Sequence, residues 1–180
     1  MRLKKIVSGG QTGVDRAALD AALAAGFPCG GWVTWDRMAE DGVIPARYPL
    51  VALPGGGYRQ RTRLNVSDSD GTALLFNEIL KGGTRLTRNL CALLKRPYVL
   101  INAGVTSDPI EAAGAIWKFI DENRIEVLNV AGPRASGWTD GYRFAFDVIS
   151  CVIDGSIARG LPQGEPHGGE RPDTTPGQAC

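Results

Sequence analysis

The sequence is short of histidine, and this shortage excludes several kinds of catalytic and metal site. Its one histidine, His167, lies in a stretch rich in glycine and proline with little apolar periodicity. From this composition we predict that residues 155–180 form a disordered tail and that residues 1–154 form one domain. The folded part then has no Ser-His-Asp or Cys-His catalytic arrangement and no histidine metal site. We predict no metal site and assign no catalytic residue.

Cysteines and long apolar runs are also scarce. The four cysteines are far apart and form no C-x-x-C pair, which argues against a zinc knuckle, a thioredoxin-type motif or a disulfide scaffold. A reducing compartment, the cytoplasm, is the simplest location. No segment approaches the roughly 18 apolar residues of a membrane span, and the N-terminal MRLKKIVSGG lacks the apolar region of a signal peptide.

The charge balance provides no general attraction for a polyanion. Lysine and arginine number 20, aspartate and glutamate number 19, and the formal net charge is +1. A nucleic-acid polymer or an anionic membrane is therefore not an expected partner, and any anion site must be local. With 180 residues, of which 43% are hydrophobic, the chain can still bury a sizeable core.

Strands and helices are predicted to alternate along the chain. ALLF, YVLI and VLNV are continuous apolar runs, as in strands that are covered on both faces. Helical patterns lie between them, and one starts with the capping signature Asp108, Pro109 and Glu111. We predict a Rossmann-like, doubly wound parallel α/β sheet in three layers. Residues 27–57 are expected to hold one short strand and a long loop.

A glycine-rich turn follows the first predicted strand and opens the first predicted helix. It consists of Gly9, Gly10, Gln11, Thr12 and Gly13. In doubly wound sheets ligands bind beyond the carboxyl ends of the strands, and the free amides of a helix start favour an anion. The turn has no lysine for a Walker A loop, and a serine replaces the first glycine of G-x-G-x-x-G. The turn predicts an anion site, and the alternative is a tight turn without a ligand.

Two further turns of this kind follow later strands. Their residues are Gly82, Gly83 and Thr84 in one, and Asn129, Gly132 and Arg134 in the other. Three turns at one edge of a sheet can converge on one small anionic ligand, and the alternative is three unrelated turns. We expect the first two turns to line one anion site, so that a Gly10→Val change removes binding and leaves the fold intact.

Charged side chains near these turns are candidates for binding the anion. Arg61, Asn65 and Asp68 fall at i, i+4 and i+7 and share one helix face, although an exposed helix is often this polar without a function. Arg16 lies in the first turn of its helix, where a positive charge opposes the helix dipole. A bound anion would compensate that charge, with Asp15 and Asp68 orienting the arginines. The alternative is that Asp15 alone compensates Arg16.

The loop charges Arg37, Glu40 and Asp41 allow two interpretations. Adjacent carboxylates can take part in acid–base chemistry, but neighbours in sequence need not share a substrate. Solvated loop charges are the simpler interpretation. Trp32, Trp35 and Tyr58 could stack on a nucleotide base, although ordinary packing accounts for any one of them.

Several segments in order resemble one known family. SGGQTGVDRAALDAAL, RMAEDGVIPARYPL, YRQRTRLNVSDSDGT, GGTRLTR and LNVAGPRAS resemble the molybdenum carrier family, a branch of the SLOG superfamily of Rossmann-like proteins. This superfamily includes the lysine decarboxylase-like, cytokinin-activating phosphoribohydrolases and the DNA-processing protein DprA. The resemblance covers about residues 3–150. It implies a small anionic ligand, which is either derived from a nucleotide or is a molybdenum species such as molybdate or the molybdenum cofactor, and we expect a homo-oligomer.

The phosphoribohydrolase branch has a P-G-G-x-G-T-x-x-E turn whose glutamate supports cleavage. The corresponding segment here, KGGTRLTRN, contains no glutamate, which disfavours hydrolysis. The P-G-G-G run at residues 54–57 is not taken as the counterpart of this turn, because it precedes a polar helix and no apolar strand is predicted before it. A binding or carrier protein is therefore preferred, and a nucleotide N-glycosidic hydrolase or an interaction subunit are the alternatives.

Overall fold

The computed structural model describes residues 3–155. The predicted tail lies outside the described residues except for Gly155, which ends the last helix. Thirteen helices and strands follow one another: β1 (Lys5–Val7), α1 (Val14–Ala24), β2 (Cys29–Thr34), β3 (Met38–Ala39), β4 (Gly42–Val43), β5 (Leu50–Leu53), α2 (Tyr58–Ser67), β6 (Gly71–Phe76), α3 (Gly82–Leu93), β7 (Tyr98–Asn102), α4 (Pro109–Asn123), β8 (Val127–Ala131) and α5 (Gly141–Asp154). One turn of 3-10 helix, Ala135–Gly137, lies between β8 and α5.

Six of the strands form one parallel sheet. Their order is β5-β2-β1-β8-β6-β7, and every neighbouring pair is parallel. The helices α1 and α4 each pack against α5, and α2 packs against α3. These two groups of helices flank the sheet, which confirms the predicted Rossmann-like three-layer α/β/α fold. Among residues 3–155, the helices all fall short of the length and apolar character that a membrane crossing demands.

The burial of the strands follows their place in the sheet. All six residues of β6, an interior strand of the sheet, are buried, as expected for a strand with helices on both faces. The run YVLI in β7 was predicted to be covered in the same way, and this is wrong in part because β7 is an edge strand. Leu100 of β7 is 44% exposed, whereas the next residue, Ile101, is buried.

The start of α4 confirms the capping signature. Asp108 is the N-cap residue, and its carboxylate accepts a hydrogen bond of 2.9 Å from the amide of Ile110. Pro109 occupies the first helical turn, where its missing amide proton costs nothing.

Residues 27–57 contain more regular structure than predicted. They hold β2, β5 and the antiparallel hairpin β3–β4, instead of one short strand and a loop. The glycines of β2 weaken its strand signal in the sequence. Gly31 is nevertheless required, because a Cβ atom there would overlap the carbonyl of Ser8. The P-G-G-G run was also misjudged, since it directly follows β5 and leads into α2.

Candidate functional site

The turn between β1 and α1 brings backbone amides to the carboxyl end of the sheet. Gly10 and Gly13 have φ angles of 72° and 75°, in the left-handed region that favours glycine. No acceptor within residues 3–155 forms a hydrogen bond with the amides of Gly9, Gly10 or Gly13. These residues are buried, and buried amides without an acceptor at the start of a helix are typical of anion sites.

Gly10 is also essential to the local packing. A Cβ atom at Gly10 would lie 2.7 Å from Cδ1 of Leu50 and 3.3 Å from Cδ1 of Ile44. A Gly10→Val change therefore strains both the backbone and the core. We therefore expect this variant to lose stability, contrary to the prediction from the sequence.

The turn after β8 lies against the first turn. The amide of Val14 donates to the carbonyl of Pro133 at 3.2 Å, and the amide of Ala135 donates to Oγ1 of Thr12 at 3.2 Å. Gly132 approaches β6 closely, because a Cβ atom there would overlap the carbonyl of Leu75. Asn129, the β8 residue assigned to this turn, is instead buried in the sheet, where its Nδ2 donates to Thr72. The two turns thus form one continuous rim.

The turn of Gly82, Gly83 and Thr84, before α3, reaches this rim through α2. Gly83, at the start of α3, lies against the hydroxyl of Tyr58, and the Arg61 guanidinium lies 4.5 Å above the Tyr58 ring. Gly82 has a φ of 49° and no heavy atom near the position of a Cβ, and Thr84 is buried. The structure brings the first and third predicted turns into contact and links the second to them only through Tyr58 and Arg61.

Arg61 and Asp15 form a buried ion pair at the base of the site. Their closest oxygen and nitrogen atoms are 3.6 Å apart, and the guanidinium lies directly on Gly9. Burial raises the pKa of Asp15, and the Arg61 charge and the amides of Gln11 and Gly132 offset this only in part. The pair places a cation between α2 and the glycine turn.

Arg16 is compensated by a residue that was not predicted. Its guanidinium donates to both carboxylate oxygens of Asp41, at 2.7 and 3.1 Å, and to the carbonyl of Gly10 at 3.2 Å. The side chain is 11% exposed. The alternative that Asp15 alone compensates Arg16 is wrong, because Asp15 pairs with Arg61 while Asp41, from the hairpin, pairs with Arg16.

Asn65 and Asp68 face β2. The Asn65 amide accepts from the backbone amide of Trp32 at 2.7 Å and donates to its carbonyl at 3.0 Å. Asp68 accepts from the indole Nε1 of the same tryptophan at 2.8 Å. Both residues therefore hold Trp32 and β2 against α2. Trp35, which follows β2 directly in the sequence, is exposed.

The tip of the β3–β4 hairpin inserts two carboxylates into the site. Ala39 pairs with Gly42, so Glu40 and Asp41 form the two-residue turn. Glu40 accepts from the Thr12 hydroxyl, from the Ser136 hydroxyl at 2.7 Å and from the Ser136 amide at 3.2 Å. Its carboxylate also lies 3.3 Å from Nε of Arg134.

These contacts stabilise the ionised carboxylates of the hairpin. Hydrogen bonds from Thr12 and Ser136, in that order, hold the pKa of Glu40 below its usual value, with a smaller effect from Arg134. The Arg16 hydrogen bond does the same for the pKa of Asp41. Sequence reasoning considered acid–base chemistry or simple solvation for these two carboxylates, and it did not consider Ser136. The available signal was the acidic pair before Gly42 in a segment rich in turn residues.

The hairpin closes over the site. A cavity of about 10 Å³ lies beside the glycine turn, and this volume suits about one water molecule. It is lined by Gly9, Gln11, Thr34, Met38, Ile44, Tyr58 and Arg61. Gln11 further links the turn to the hairpin, because its Oε1 accepts from the amides of Thr12 and Glu40. This cavity has no room for a ligand larger than about one water molecule.

Comparisons with known proteins agree with this fold and its motifs. Residues 6–153 match the circularly permutated YpsA SLOG family. A crystal structure from Syntrophus aciditrophicus SB, described as a putative molybdenum carrier protein, is 41% identical, with a TM-score of 0.81, and the match covers 84% of this chain and 96% of that one. Among curated proteins, none matches the chain. The chain belongs to the circularly permutated YpsA SLOG family, as the molybdenum carrier and SLOG motifs of its sequence predicted.

Proposed function

We propose that the chain binds a small tetrahedral oxyanion of the molybdate class on the rim formed by residues 9–13 and 132–136, and that it serves as a molybdenum carrier. The name of the similar protein from Syntrophus aciditrophicus SB supports the cargo. The glycine turn at the carboxyl end of a parallel strand supports the place.

The charge balance of the site carries the proposal. Three arginines, Arg16, Arg61 and Arg134, pair with three carboxylates, and the hairpin supplies two of these, Glu40 and Asp41. In the described structure these charges balance, and displacement of the hairpin tip by a ligand would leave the three arginines with Asp15 as their one carboxylate partner. The resulting surplus of positive charge matches a dianion, which molybdate is near neutral pH.

The donors on the rim also suit an oxyanion. The amides of Gly9, Gly10 and Gly13, the Thr12 and Ser136 hydroxyls and the Arg134 guanidinium are all hydrogen-bond donors. The oxygens of a tetrahedral oxyanion accept only, so they can use several of these donors at once. A nucleotide-derived ligand would bring the same chemistry through its phosphate, and it is distinguished by experiment.

The test is calorimetric titration of the full chain with molybdate, with adenosine monophosphate titrated in parallel. We expect one molybdate site, and we expect Arg134→Ala to weaken it by about tenfold or more, since a charge-assisted hydrogen bond contributes about 1.5–3 kcal/mol. Arg134 is 62% exposed, so its removal does not disturb the core. Arg143→Ala, a surface arginine that is 90% exposed, is the matched control.

Three results would contradict the proposal. These are no heat with molybdate, equal affinity in the Arg134 and Arg143 variants, or binding of adenosine monophosphate alone. Release of adenine from the nucleotide would instead indicate the N-glycosidic hydrolase.

A further inference from the structure

We propose that the tip of the β3–β4 hairpin is a displaceable lid, whose Glu40 carboxylate occupies the place of the oxyanion until the ligand takes over its donors. This inference rests on the proposed function, because it concerns the same site. It adds a competition between the ligand and a side chain of the protein.

The contacts of Glu40 carry the inference. Its carboxylate accepts hydrogen bonds from the hydroxyls of Thr12 and Ser136 and from the Ser136 amide, and it forms an ion pair with Arg134. These donors belong to both turns of the rim. The Glu40 side chain is only 20% exposed although it extends from a hairpin turn. A carboxylate and a tetrahedral oxyanion present the same kind of acceptor oxygen, so one donor set cannot serve both.

The neighbouring residue completes the lid. Asp41 accepts hydrogen bonds from both terminal nitrogens of Arg16, which lies at the start of α1. Lifting the tip therefore frees Arg16 as well as the donors of Glu40. The two acidic residues of the turn thus neutralise the site in the closed form.

The tip is attached by polar contacts and buries little apolar surface. The hairpin side chains Met38 and Val43 are exposed. The base of the hairpin is held separately, because Arg37 donates to the carbonyl of Leu50 at 2.7 Å and Ile44 is buried in the core. Opening of the tip therefore costs a few polar contacts and leaves the core intact, which is typical of segments that open locally.

Molybdate titrations of wild type, Glu40→Gln and Asp36→Asn test the lid. Asp36 precedes the same hairpin and bonds to Thr34, so Asp36→Asn removes an equal charge outside the donor set. We expect Glu40→Gln to bind molybdate at least about fivefold more tightly than wild type, the lower range of coupling between linked events. Asp36→Asn should bind like wild type.

The possible results separate the lid from the proposed function. If wild type binds molybdate and Glu40→Gln binds it equally or more weakly, the lid is refuted and the site stands. An equal gain in molybdate affinity in both variants also refutes the lid, because the loss of one negative charge from the hairpin region would then be enough to explain the gain. No binding in any of the three proteins refutes both.

Hydrogen exchange on wild type checks the lid without a substitution. Because the ligand displaces the tip, molybdate should increase exchange in residues 38–43. Increased protection there would mean that the hairpin closes onto the ligand, and this would overturn the inference.

Discussion

At the scale of single residues, the site is a set of ion pairs between distant parts of the chain. Asp15 and Arg16 are adjacent in sequence but have different partners, Arg61 from α2 and Asp41 from the hairpin. Adjacent residues on a helix point in different directions, so their side chains contact different elements. This arrangement connects α1 to both segments that cover the glycine turn.

We predict that Arg16→Ala destabilises the ligand-free protein by about 1–2 kcal/mol, because a charged hydrogen-bonded pair is lost while half of the Asp41 side chain is exposed to screening solvent. Urea unfolding followed by circular dichroism measures this difference. Arg143→Ala, which breaks only a surface pair of 3.9 Å with Asp147, is the control and should differ little from wild type. Equal stability of the two variants would show that the Arg16–Asp41 pair contributes nothing to the fold.

Sequence reasoning singled out the glycine turns and Arg61, and it missed Ser136 and the contacts that the hairpin residues make with the rim. The glycines and Arg61 could be predicted because turn chemistry and helical spacing are local properties. Glu40 and Ser136 meet across 96 positions of the chain, a contact that no local pattern contains. Asn65 and Asp68 were assigned to the ligand from helical spacing, but their observed contacts are with Trp32, and these depend on the position of β2, which the sequence did not reveal.

At the scale of elements, α2 is fastened to β2 by side chain to backbone hydrogen bonds. Asn65 satisfies both the amide and the carbonyl of Trp32, in the middle of a strand that has two glycines. This bond pair takes the place of apolar packing on a helix whose sequence, YRQRTRLNVS, is mostly polar. Since α2 also carries Arg61, the same bonds help to fix the position of that guanidinium.

We predict that Asn65→Ala lowers the free energy of unfolding by about 2–4 kcal/mol, because two backbone groups lose their partners in a buried position. Thermal and urea unfolding measure this effect. Arg63→Ala, at an exposed position of the same helix, is the control and should change stability by less than about 0.5 kcal/mol. A similar small change in both variants would mean that water replaces the lost bonds.

The elements that the sequence predicted well are those with local signals. The N-terminus of α4 is set by Asp108 and Pro109, and its cap is found where predicted. The strands β2 and β5 have no such signal, since glycines occupy one and Pro49 and Pro54 flank the other. In these strands the close approach of neighbouring backbones determines the structure, and propensity does not.

At the scale of the whole molecule, the alternation of apolar runs with helical patterns was sufficient for the fold class. The order β5-β2-β1-β8-β6-β7 depends on which strands pair, and strand pairing is a long-range property. That order places β8 beside β1, which is why the turn of residues 132–136 meets the turn of residues 9–13. The site is thus a direct consequence of the sheet order.

The proposed function and the lid both require that an oxyanion binds to this rim in the place of the Glu40 carboxylate. Crystals of the full chain grown with molybdate and measured at the molybdenum absorption edge test this most directly. We expect one anomalous peak within hydrogen-bonding distance of Thr12, Arg134 and Ser136, with the hairpin tip moved away from it. A peak elsewhere, such as at the start of α2, or no peak while Glu40 keeps its contacts, would contradict it.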